Sequence, residues 1–87
     1  MKKSDIKLIE QAVGMKAKEI YPEQMESDAG MSFSNGVNIQ YAPYCEKKYI
    51  LAYWDKKKQV QCYRNEWESN TIVGFIKVIK KLCISLN

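Results

Sequence analysis

The sequence predicts an α+β two-layer sandwich: a helix, a four-stranded antiparallel meander and a second helix, with both helices on one sheet face and residues 1–87 forming one domain. Three observations carry this. Apolar residues recur at helical spacing near both ends of the chain, and the centre alternates with period two around Asn35-Gly36. The dimensions also agree, since four strands at about 4.8 Å spacing make a sheet about 19 Å wide, matching two helices about 10 Å across. A chain of 87 residues supports a single core, and 46% hydrophobic with 28% charged residues is the composition of an ordered globular chain.

Ser4 or Asp5 can cap the first helix, whose stripe is Ile6, Ile9, Val13, Ala17 and Ile20, widened by Leu8, Ala12 and Met15. Lys7, Glu10, Gln11 and Lys18 take the opposite face. The helix is expected to stop at Tyr21, because Pro22 disfavours α geometry in the residue before it. Residues 23–30 read as an acidic, polar loop.

Met31-Ser32-Phe33 and Val37-Asn38-Ile39-Gln40-Tyr41 then form a hairpin. A two-residue turn would set Phe33 opposite Asn38. A three-residue loop, Ser34-Asn35-Gly36, instead sets Phe33 opposite Val37 and Met31 opposite Ile39, and it is preferred because it keeps apolar with apolar and gives Gly36 the left-handed conformation. Pro43 lacks an amide donor, so residues 42–47 form a loop into a third strand over residues 48–54. After a turn at residues 55–58, Gln59 to Arg64 make the fourth strand, with Val60 and Cys62 facing the helices. The second helix starts at Asn65, where Glu68 completes a capping-box spacing, or after Ser69-Asn70. Either start leads into the stripe Ile72, Phe75, Ile76, Ile79, Leu82, Cys83 and Leu86. Gly14 and Gly74 fall inside the two helices, where they would allow close helix packing.

The strand Tyr49-Ile50-Leu51-Ala52-Tyr53-Trp54 is apolar on both faces, and two helices cover only one. An even-length turn after it puts Tyr49, Leu51 and Tyr53 inside and Ile50, Ala52 and Trp54 outside, whereas an odd-length turn reverses this. In either case the open face combines aromatic and apolar side chains with Asn38, Gln40, Gln59, Gln61 and Tyr63 and carries almost no charge. That mixture resembles the centre of a protein interface. Tyr49, Tyr53, Trp54, Gln59, Gln61 and Tyr63 are therefore the candidate partner contacts.

Chemistry is constrained from several sides. The absence of His excludes Ser/His/Asp and Cys/His nucleophiles and imidazole metal sites. Glu23, Glu26 and Asp28 fall in a loop, and Glu66 and Glu68 at a helix start, all ordinary solvated positions for carboxylates. The glycines form no phosphate-cradling cluster, and Cys45, Cys62 and Cys83 have neither zinc-ligand nor disulfide-framework spacing. The expectation is a non-enzymatic protein with no cofactor, no metal and no small-molecule substrate. Lys7 and Glu10 interrupt the first apolar run and Lys77, Lys80 and Lys81 the last, so neither a signal peptide nor a membrane span is expected, and residence is expected to be cytoplasmic.

The net charge of +4 and pI near 9.0 border on the footprint of a nucleic-acid binder, although Arg64 is the only arginine among 14 basic residues. The element order is similar to that of double-stranded-RNA-binding domains, but Asn65-Glu66-Trp67-Glu68 is acidic where their second helix opens with lysines, so no family is assigned. The expected function is a protein-binding module, an inhibitor or immunity-type protein occupying a toxin, nuclease or other protein, or a homodimer joined through the same face. The alternative is nucleic-acid binding through Lys47, Lys48, Lys56, Lys57, Lys58, Lys77, Lys80 and Lys81.

Overall fold

A computed structural model describes residues 1–21 and 29–86. Helix α1 (Lys3–Val13) is followed by strands β1 (Glu19–Tyr21), β2 (Ala29–Ser32), β3 (Val37–Tyr41), β4 (Tyr49–Asp55) and β5 (Val60–Ser69), then helix α2 (Ile72–Leu86). The strands form one antiparallel sheet in the order β1-β2-β3-β4-β5. The α+β class holds, with five strands among the described residues where four were expected.

The extra strand comes from the first helix ending early. Gly14 takes a left-handed conformation (φ 89°), and its N–H and that of Met15 both donate to the Glu10 carbonyl, at 2.9 and 3.3 Å. The Glu10 carboxylate then accepts the Ala17 N–H at 2.8 Å, and Lys18 N–H reaches Ser32 O at 2.7 Å, starting the pairing of β1 with β2. Ala17 and Ile20, expected on the helix stripe, are thus outside the helix, Ala17 in the connection and Ile20 in β1. Of the loop expected over residues 23–30, Ala29 and Gly30 belong to β2, and the remainder lies outside the described residues.

The β2–β3 hairpin has the preferred register, with Met31 opposite Ile39 and Ser32 opposite Asn38. Phe33 N–H donates to Val37 O at 2.9 Å and Gly36 N–H to Phe33 O at 3.1 Å, closing the three-residue loop. Gly36 has φ 97°, as that loop requires.

Pairing of Asp55 with Val60 leaves residues 56–59 as an even turn, which settles the ambiguous strand. Val37, Ile39 and Tyr41 stand opposite Tyr53, Leu51 and Tyr49, so those three β4 residues face the helices, while Ile50, Ala52 and Trp54 face away.

Strand β5 runs on to Ser69, so Asn65 does not cap a helix. The start after Ser69-Asn70 is the one formed: Thr71 Oγ1 accepts the Gly74 N–H at 3.1 Å and Thr71 O the Phe75 N–H at 3.0 Å. Gly74 serves this cap and not helix packing, since a Cβ there would lie 2.7 Å from Ser69 Oγ and 3.1 Å from Thr71 Oγ1. Pairing along β5 is interrupted, because Ala52 opposes Tyr63 and Ile50 opposes Glu68. The single residue Leu51 therefore faces the run Arg64-Asn65-Glu66-Trp67, a four-residue bulge at the sheet edge.

Both helices press on one sheet face. Ile9 and Val13 of α1 and Phe75, Ile79 and Leu82 of α2 share a core with Met31, Val37, Ile39, Tyr49 and Leu51. Tyr49 stacks on Phe75 with ring centroids 5.3 Å apart and meets Tyr41 at 5.0 Å.

Candidate functional site

The second sheet face carries neither helix. Strand alternation places Asn38 and Gln40 of β3, Ile50, Ala52 and Trp54 of β4, and Gln61, Tyr63 and Glu68 of β5 on it, with Ser32 and the β1 residues Glu19 and Tyr21 on the far side. Ile50, Ala52 and Trp54 form a half-buried apolar row along the middle. Three of the six expected contacts, Trp54, Gln61 and Tyr63, come together here. Tyr49 does not, since it is 7% exposed beneath α2. Tyr53 opposes Val37 and Cys62 and so belongs to the helix face. Gln59 lies in the turn with φ 55°, its amide donating to Lys56 O at 2.7 Å.

The face is less neutral than its sequence pattern implied, because two carboxylates rim it. The Tyr21 hydroxyl donates to Glu19 on one edge strand, and the Tyr63 hydroxyl to Glu68 on the other. The second pair depends on the bulge: looping out residues 64–67 makes Tyr63 and Glu68 neighbours on one face. In both pairs the hydrogen bond to the carboxylate is the main cause holding the phenol above its ordinary pKa. Reading the first segment as helix through Tyr21 and Asn65-Glu68 as a capping box hid both pairs. The one recoverable signal was Gly14 as a helix stop, since Arg64-Asn65-Glu66 shows no strand alternation that would announce the continuation of β5.

The bulge also builds a cleft against α2. Arg64, Glu66 and Trp67 form one wall, Lys77, Lys81 and Ser85 the other, and Tyr53 and Cys62 line it between them, enclosing about 990 Å³. The Arg64 guanidinium lies 5.6 Å from the Trp67 ring centroid and 3.6 Å from a Glu66 carboxylate oxygen.

The candidate basic residues do not form one surface. Lys77 and Lys81 line this cleft, and Lys77 also borders, with Lys80, a smaller groove beside Leu8, Ile72 and Val73. Lys47 and Lys48 precede β4, and Lys56, Lys57 and Lys58 follow it at the other end of the strand. That turn has a structural role, since Asp55 Oδ1 accepts the N–H groups of Lys57 and Lys58 at 3.0 and 3.2 Å and Lys56 Nζ donates to Ser34 O at 3.3 Å. Among the described residues, no helix is long and apolar enough to cross a membrane.

No protein-family model matches this chain, and no curated protein or solved structure matches it either.

Proposed function

We propose that the chain is a non-enzymatic module that binds another protein through the open sheet face, in the manner of an inhibitor or immunity-type protein occupying a toxin, nuclease or other enzyme. The observation that carries this reading is the row Ile50, Ala52 and Trp54, flanked by Asn38, Gln40, Gln61 and Tyr63 and rimmed by the two Tyr–Glu pairs. An apolar centre with an aromatic anchor and a polar surround is the anatomy of a binding hot spot. Trp54 is the anchor, and Tyr63 and Gln61 orient the partner at the β5 edge.

The test compares the wild-type chain with an Ile50→Ser/Trp54→Ala variant of matching far-UV circular dichroism. A protein captured stoichiometrically by the first and lost by the second supports the reading; identical capture by both would sink it. Light scattering on the purified chain supplies the second arm, because a tight dimer abolished by Trp54→Ala assigns the face to a second copy.

A further inference from the structure

The cleft between the β5 bulge and α2 differs chemically from the open face, and we infer that it binds single-stranded nucleic acid. Lys77 and Lys81 are one turn apart on α2, so their side chains leave the same side of the helix from backbone positions about 6 Å apart along the axis. Arg64 stands on the facing wall, so three cations border one opening. The carboxylate there, Glu66, is already engaged with Arg64 in an exposed pair of the kind that contributes little and exchanges readily. A phosphate can take its place on the guanidinium with two parallel hydrogen bonds.

Flat surfaces complete the site. Tyr53, on the helix face, and Trp67 line the same trough, and the Arg64 guanidinium 5.6 Å from the Trp67 ring centroid adds a planar cation beside them. Positive charge tracking a backbone beside aromatic faces that hold bases is the physical requirement for binding single strands. Aromatic rings inside a trough reach bases only where these are unpaired and unstacked, which selects against duplex. An acidic polypeptide would satisfy the cations but leave the rings unused. This constellation also replaces the dispersed lysine set expected from the sequence with Arg64, Lys77 and Lys81, whose convergence depends on the bulge.

Fluorescence anisotropy with labelled oligo(dT) and oligo(U) tests the inference on the intact chain. With three phosphates engaged, raising salt from about 50 to about 200 mM should weaken binding about 20-fold. The Lys77→Glu/Lys81→Glu variant should bind at least about 10-fold more weakly and lose about two thirds of the salt slope. Lys56→Glu/Lys57→Glu changes net charge equally but lies outside the cleft, and should cost less than about 3-fold. Arg64→Lys keeps the charge and removes the plane, so affinity should fall with the salt slope unchanged. Trp54→Ala should leave oligonucleotide binding intact, which separates this site from the protein-binding face. No binding at low salt, equal losses in the two charge-reversal variants, or displacement by polyglutamate at equal charge would each overturn the inference, the last by reassigning the cleft to acidic polypeptides.

Discussion

Gly36 shows how much one residue can decide. Its φ of 97° suits glycine, and a Cβ there would sit 2.5 Å from the Trp54 carbonyl oxygen and 3.0 Å from Tyr53 Cε2. Gly36→Ala should therefore cost about 3 kcal/mol, read as a lowered urea midpoint, because backbone strain and a clash with main-chain oxygen combine. This position was legible from Asn35-Gly36 and the apolar pairing around it. Tyr63 was legible only as an exposed aromatic, since its partner Glu68 becomes a neighbour through the bulge. The hydrogen bond holds the folded phenol above its ordinary value, so its contribution is fully present below the unfolded pKa and disappears as pH rises through the folded one. NMR titration of the Tyr63 ring should show alkaline ionisation later than in a free tyrosine, and Glu68→Gln should bring it back down.

Among the elements, the two misplaced boundaries share a cause. Residues 15–21 contain Met15, Ala17 and Ile20, which fit a helical stripe, yet Gly14 ends the helix first and the next segment pairs with β2. At the other end, Asn65 and Glu68 have capping-box spacing but are consumed by β5, because pairing with Tyr49 and Ile50 continues the strand. Local pattern and tertiary pairing compete at both places, and a single sequence displays only the first. The two candidate caps of α2 can be separated by experiment. Thr71→Ala should cost about 1 kcal/mol, whereas Asn65→Ala should fall within about 0.5 kcal/mol of wild type in chemical denaturation.

In the whole molecule, the fold class was legible because both periodicities are strong and the widths of two helices and one sheet match. Phe75 and Leu51 have no exposed surface at the centre of that core. Phe75→Ala should cost about 3–5 kcal/mol, a large share of the roughly 5–15 kcal/mol that holds a domain folded. Trp54→Ala, on the open face, should cost about 1 kcal/mol or less in the same urea titration. Which half of β4 faced outward stayed open in the sequence because it turns on a single residue of loop length. The bulge has a further consequence for behaviour in concentrated solution. Strand β5 ends the sheet, and a long straight edge is a template for fibril growth. Ejecting Arg64-Asn65-Glu66-Trp67 breaks that edge into two short pieces with a charged obstacle between them. Excising Arg64-Asn65-Glu66 would set Trp67 opposite Leu51, keep Tyr63 and Glu68 on their face and straighten the strand. The shortened chain should form thioflavin-positive aggregates at concentrations where the parent remains clear, since the irregularity that shapes the cleft also keeps neighbouring copies from zipping together.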